Sequence, residues 1–256
     1  MITAKSRYDA LSSGRNQFLQ TAIDSAKLTL PYLIKQDEAD SNYKTLITPW
    51  QSVGAKGVTT LASKLMLALL PPQTSFFKLQ IDESTILSGE LDPAIRSDLD
   101  VSFAKIERTI LESIAASDDR VVIHQALKHL VVSGNALIYM DKEKLKLYPL
   151  NRYVVERDGL GNVIEIVTKE KIHKSIVKRL IKDIDDDAVN DVEDSSTGYS
   201  REDVDVYTIV KRDNNRYVWH QEVYNKIIPG SQGKSPLDTT PWLPLRFNTV
   251  DNEAYG

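Results

Sequence analysis

Residues Val121–Met140 read VVIHQALKHLVVSGNALIYM, and the character of the chain changes inside them. As far as Ser133 the apolar residues keep helical spacing, with Val122, Ala126, Leu127 and Leu130 on one side. Gly134 stands where a helix takes a left-handed residue at its C-terminus. From Asn135 onward the runs ALIYM, LKLYPL and RYVVERD are short and rich in β-branched and aromatic residues, which is strand composition. Helices before this point and strands after it predict an α+β fold, with N-terminal helices packed on antiparallel hairpins or a meander. The expected organisation is a mainly helical part over 1–134 and a β-rich part over 135–256.

Toward the N-terminus, Tyr8, Leu11, Phe18, Leu19, Ala22, Ile23, Ala26 and Leu30 keep helical spacing up to Pro31, despite Gly14 in their midst. A polar loop, Gln36 to Tyr43, leads to Thr48–Phe77, TPWQSVGAKGVTTLASKLMLALLPPQTSFF. Thr48 is a candidate cap, Pro49 fits the first helical position, and Gln51 stands where a capping box has its reciprocal partner. Trp50, Val53, Leu61, Leu65 and Leu69 are expected on the core face. Gly54 and Gly57 each cost a helix roughly 1 kcal/mol relative to alanine, so their presence predicts a closely passing backbone or a broken first turn. Pro71 and Pro72 end the helix. Phe76 to Ile81 reads as a short strand. Asp92 and Pro93 announce a further helix with Ile95, Leu99, Phe103, Ile106, Ile110 and Ile114 facing the core, and Ser117 or Asp118 caps the next one.

Toward the C-terminus, Asp158–Asn162 is turn chemistry ahead of the strand VIEIVTK. Lys171 to Ile184 reads as a short basic helix. VDVYTIVKR and RYVWHQEVY form a second hairpin around Asp213-Asn214-Asn215, a Gly/Pro/Ser-rich loop follows, and WLPLRFN is a last strand. No internal repeat is visible.

The bulk properties exclude several classes. With 256 residues, 41% of them hydrophobic, the chain can bury a substantial core. No apolar run is long enough to span a bilayer, and the N-terminus lacks a secretory signal. The absence of cysteine removes disulfides and thiolate metal sites and fits assembly in a reducing cytoplasm. Against a whole-chain charge of −4, residues 183–205 carry ten acidic side chains and Arg201, a local charge of −9, which leaves +5 for the rest. That stretch reads as a surface loop. The remainder is not the strongly basic surface of a tight DNA binder.

No catalytic, cofactor-binding or metal-ligating set emerges. His124 and His129 are five apart, about 140° around a helix, and do not share a metal-facing stripe. His173 sits in a basic context and His220 in a strand, and no Asp or Ser is placed to use either. Gly230-Ser-Gln-Gly233-Lys234-Ser235 resembles half a phosphate loop, but a working one has four residues between its glycines and joins a strand to a helix. Asp185, Asp187 and Asp191 lack the glycine and closing glutamate of a calcium loop. Lys142, Lys144 and Lys146 alternate on one strand face, while Lys174, Lys178 and Arg179 share much of a helix face; these are the candidates for contact with DNA phosphates or a partner. Two alternatives follow from these features: a phosphate- or nucleotide-binding enzyme using the 230–235 loop, and a generic nucleic-acid-binding module using the lysines.

The Thr48–Phe77 segment resembles the signature of the head-to-tail connector (portal) proteins of T7-like short-tailed phages, which carry a PWQ-VGA-G---LASKLM-AL-P run. The resemblance continues through Ala126–Leu137, Leu147–Leu150, Tyr153–Asp158, Gly161–Val163, Val167–Thr168, Pro241–Arg246 and Ala254–Gly256. It marks Pro49, Trp50, Gln51, Gly54, Gly57, Leu61, Leu65, Gly134 and Asn135 as signature and packing positions. It implies a non-enzymatic virion protein without cofactors, part of a dodecameric ring at one capsid vertex that passes double-stranded DNA. The implied partners are the major capsid and scaffolding proteins, the terminase and a tail adaptor. It also implies that these residues form the peripheral wing, with stem, clip and crown expected beyond 256.

Overall fold

The computed structural model describes residues 3–34, 48–49, 51–71, 74–80, 93–141, 144–173, 176–177, 203–251 and 253–256. Helix α1 (Ala4–Leu28) opens with the Thr3 hydroxyl accepting from the Ser6 N–H, and it buries Tyr8, Ala22, Ile23 and Ala26 along the stripe that its spacing predicts. A 3-10 turn, Pro31–Leu33, ends that segment. Helix α2 (Val53–Leu69) packs on α4 (Asp119–Ser133), and α1 packs on α4 as well. Helix α3 (Pro93–Ala116) meets α4 only sparsely.

Every described strand pairing is antiparallel. One sheet has the order β2-β1-β9, with β1 (Asn135–Met140) central, β2 (Leu145–Tyr148) on one side and β9 (Trp242–Arg246) on the other. Leu137 stands opposite Tyr148 across one pairing and opposite Pro244 across the other. The second sheet runs β3 (Tyr153–Arg157), β4 (Val163–His173), β5 (Asp203–Asp213), β6 (Arg216–Val223), β7 (Lys226–Ile227), with β8 (Gly233–Pro236) also pairing with β6. One hydrophobic cluster crosses the whole fold, joining Ala22 and Ile23 of α1 to Leu137, Tyr153, Val210, Trp242 and Tyr255. The α+β class read from the period change at Asn135 is therefore the architecture observed.

Several local expectations are overturned. The signature helix starts at Val53, not at Pro49; its N-terminal residue is Ser52, whose side chain makes no capping bond, and Thr48 lies outside the helix. Its inward face is Val58, Ala62 and Met66, while Val53, Leu61 and Leu69 are exposed. The helix approaches α4 through small residues, and Ala62 is fully buried against the group that includes Leu127. Bulk, which guided the sequence reading, is therefore a poor guide to the face used. Phe76 to Gln80 form no strand, and the Leu79 N–H is instead taken by the Glu107 carboxylate of α3, 2.6 Å away. On the expected core face of α3, Leu99, Phe103 and Ile114 are half-buried, whereas Ile106 is 47% and Ile110 37% exposed. Lys171–His173 complete strand β4 rather than starting a helix; Ile176 and Val177 are helical, and the rest of the stretch to Ile184 lies outside the described residues. The cap at Asp92 and the acidic tract before Asp203 lie outside the described residues.

Candidate assembly site

The densest polar construction in the molecule surrounds the helix-to-strand junction. Gly134 adopts φ +69°, the left-handed conformation, and its N–H returns to the Leu130 carbonyl to close α4. The next residue, Asn135, is buried and uses its whole amide. Its Nδ2 donates to the Ser133 carbonyl at 2.9 Å and to the Gly256 carbonyl at 2.6 Å, while its Oδ1 accepts from the Gly256 N–H at 3.0 Å. A Cβ on Gly134 would overlap the Gly256 carbonyl, so glycine is required there by space as well as by φ.

Two arginines complete a clamp on the last residues. Arg157 donates to three carbonyls: Gly161 in the β3–β4 turn at 2.9 Å, Pro244 of β9 at 2.8 Å and Ala254 at 3.1 Å. Arg246 donates to the Glu253 carbonyl at 2.7 Å. Desolvation, and then the neighbouring Arg246, lower the Arg157 pKa, and carbonyl dipoles rather than a carboxylate hold its charge. Pro244 has no N–H to offer and its carbonyl is taken by Arg157, so this residue of the β9 edge cannot pair with another strand. Tyr255 is buried; its hydroxyl accepts from the Val155 N–H at 2.8 Å, and desolvation pushes its pKa up to about 12. Sequence reading singled out Gly134 and Asn135, while Arg157, Arg246 and Tyr255 fell within the runs that carry the resemblance without being named as site residues. Nothing local distinguishes these three from ordinary surface arginines and a core tyrosine: Arg157 and Tyr255 reach backbone atoms far away in sequence, and Arg246 reaches the Glu253 carbonyl across a loop that no spacing rule describes. Arg15 was missed for the same reason: it is buried in α1 and donates to the Tyr8 hydroxyl at 2.7 Å and the Tyr153 carbonyl at 3.2 Å.

The remaining signature positions divide. Gly54 lies against the end of α1, where an added Cβ would sit 2.6 Å from the Leu28 carbonyl oxygen. Gly57 has nothing within 4 Å of that position, so no neighbour among the described residues explains it. Leu61 is exposed, Leu65 is half-buried among the α2–α4 residues, Pro49 and Gln51 precede the helix, and Trp50 lies outside the described residues.

Of the basic candidates, Lys144 and Lys146 are among the described residues. Lys146 pairs with Glu170 at 2.5 Å and lies over the Tyr148 ring, so its charge is already matched. Lys144 is exposed, and Lys142, Lys174, Lys178 and Arg179 lie outside the described residues. Residues 233–236 of the phosphate-loop look-alike are strand β8 paired to β6; they start no helix, which removes the geometry a nucleotide site needs. His220 meets the Glu222 carboxylate at 2.9 Å, which in turn accepts from the Ala4 N–H at 2.7 Å, and this ties the start of α1 to the sheet. His124 contacts Ser63 at 3.4 Å, and His129 is buried, with desolvation lowering its pKa to about 4. Among the described residues no group of His, Asp and Glu could hold a metal ion, and no helix is long and apolar enough to cross a membrane.

Two features thus stand out: a rigid clamp at the junction, and outward apolar side chains on α2 and α3. Residues 2–256 match the family described as bacteriophage head to tail connecting protein. The chain is 37% identical to the portal protein of Enterobacteria phage T3, over 99% of this chain and 47% of the relative. It is 35% identical to the portal protein of Escherichia phage T7 with the same coverage, and 28% identical to that of Pseudomonas phage phiKMV over 99% of this chain and 49% of the relative. It therefore spans about half the length of these relatives. A match over nearly every residue, through both the helical and the β-rich parts, places the chain in the bacteriophage head to tail connecting protein family, alongside the portal proteins of T7-like phages.

Proposed function

We propose that this chain is the wing of a portal subunit: a structural, non-enzymatic part of a closed ring of about twelve copies at one capsid vertex. The observation that carries this is the end-to-end match to proteins named as portal proteins. In this reading the ring passes double-stranded DNA in both directions, and the energy for movement comes from a docked terminase. Capsid and scaffolding proteins meet the ring during head assembly in the host cytoplasm, and a tail adaptor seats on it in the virion. The helical part over 1–134 and the β-rich part over 135–256 act as one wing unit. The outward apolar side chains of α2 and α3 (Leu61, Leu67, Ile106 and Ile110) support the reading, because faces of this kind need a covering partner. Gly57 belongs to the same surface and leaves room for a close neighbour.

Electron microscopy or native mass spectrometry of the intact protein tests the proposal. Rings of about twelve subunits are expected, and an intact protein that stays monomeric at micromolar concentration overturns it.

A further inference from the structure

Helix α2 carries two lysines and no acidic residue, and α4 from Arg120 to Ser133 carries Arg120, Lys128 and two histidines, again without an acid. Away from its buried stripe, α2 presents Lys56, Gly57, Thr60, Leu61, Lys64 and Leu67, all exposed. Across the Ser63–His124 contact, Lys128 adds its charge from α4; burial first, and then that charge, lower the His124 pKa. Lys56, Lys64 and Lys128 form no ion pair among the described residues. In the sheets, by contrast, Lys146, Lys169 and Lys211 each meet a carboxylate. A face of one sign without its own counter-charges favours an acidic partner.

The leucines beside these lysines narrow the choice, because the partner must bring aliphatic side chains as well as negative charge. Double-stranded DNA brings charge alone and is held by strongly basic surfaces. Residues 183–194, DIDDDAVNDVED, bring both: seven acidic side chains, no basic one, and Ile184, Val189 and Val192 among them. Gly57 leaves open space on the same side of α2. The fold also sets the two apart. Strands β4 and β5, which lead into and out of that stretch, pair His173 with Asp203. Their sheet meets the start of α1, where Glu222 accepts from the Ala4 N–H and Tyr207 packs on Tyr8. Helix α2 meets the other end of α1, with Gly54 against the Leu28 carbonyl. The 25 residues of α1 separate these ends by roughly 37 Å. In a ring built head to tail, each copy presents two different surfaces, one to either neighbour. An acidic stretch leaving one end and a basic, leucine-bearing face at the other supply such a pair.

We propose that residues 183–194 of one copy dock on the Lys56–Lys64 face of α2 in the next copy. The assignment rests on the ring reading and names what covers α2. In the test, isotopically heavy and light copies of the intact protein are mixed and assembled. A carbodiimide then joins touching carboxylates and amines, and the cross-linked peptides are sorted by mass. The expected products are heavy–light pairs that join 183–194 to Lys56 or Lys64. They should fall about tenfold in rings whose Asp185, Asp186 and Asp187 are changed to lysine, and Lys56→Glu with Lys64→Glu in the same chain should restore assembly to that variant. Wild-type rings without such products, or with products confined to one isotope, overturn the proposal and leave the portal reading standing. Wild-type protein that forms no rings overturns both. Lys56 and Lys64 that stay open to acetylation in the rings, and are shielded only when duplex DNA is added, assign the face to DNA and overturn the proposal as well.

Discussion

The junction at Gly134–Asn135 and the helix α3 treat their apolar side chains in opposite ways. At the junction every polar atom of Asn135 is engaged, the backbone conformation requires glycine, and Tyr255 is buried beside it. Helix α3 is 24 residues long, yet Val101, Ile106 and Ile110 point into solvent and its contact with α4 is sparse. A helix draws most of its stability from packing one apolar face, so α3 is under-supported by its own chain while the junction is over-determined. The first region fixes shape; the second carries the exposed apolar side chains that the proposed ring would cover.

The strongest way to break this contrast is Gly134→Val. A β-branched residue at φ +69° costs up to about 3 kcal/mol in backbone strain, and its side chain also overlaps the Gly256 carbonyl, so a loss of about 4 kcal/mol is expected. Urea unfolding measures it, and a loss under about 1 kcal/mol means that the junction is looser than it looks.

Acid is the next probe. His129 sits in α4 a few residues before the junction, and its pKa is lowered from the ordinary 6.5 to about 4 by desolvation. Between those two values the unfolded chain binds a proton that the folded chain refuses. Stability is therefore full above pH 6.5, falls as the pH drops to about 4 and then levels off, for a total loss of about 3 kcal/mol. His129→Gln should flatten that part of the pH profile measured by thermal melting, and an unchanged slope contradicts the assignment.

Asn135→Ala sharpens the comparison at lower cost. It removes both bonds to Gly256 and the one to the Ser133 carbonyl, leaving buried backbone groups unpaired, so about 2 kcal/mol is expected. Hydrogen exchange at the Gly256 amide should accelerate while exchange in β5 does not. Acceleration throughout the sheet would mean that the clamp supports the whole core rather than the chain end.

What was legible in the sequence follows the same division. The period change at Asn135 and the glycine before it are local signals, and they fixed the fold class and the end of α4. The strands from ALIYM to WLPLRFN were readable because alternation and turn residues are also local. The clamp was not, since Arg157 is defined by carbonyls at 161, 244 and 254 that no spacing rule connects. The faces of α2 and α3 were misjudged for a different reason. Hydrophobic spacing says that a face will be covered, but not that the same chain will cover it. Leu61 and Ile106 were assigned to a core because the reading assumed a self-sufficient chain.

The two glycines of α2 give a finer test of the same point. Gly54→Ala should cost about 1 kcal/mol, because its Cβ meets the Leu28 backbone at 2.6 Å, whereas Gly57→Ala should gain up to about 1 kcal/mol in the isolated chain. Chemical denaturation of both variants decides it, and equal effects would remove the distinction drawn between them.

The smallest expected change in stability is also the most telling. Replacing Ile106 and Ile110 with serine alters two side chains that the chain leaves exposed, so its own stability should move by less than about 0.5 kcal/mol. If α3 awaits a neighbour, the same pair of changes in the intact protein should abolish or disorder ring assembly, visible by electron microscopy. A large loss of stability in the isolated chain would show that α3 is already covered from within. Normal stability together with normal rings would leave the face without a partner. Only stability kept and assembly lost identifies α3 as the part of the fold that the chain does not complete alone.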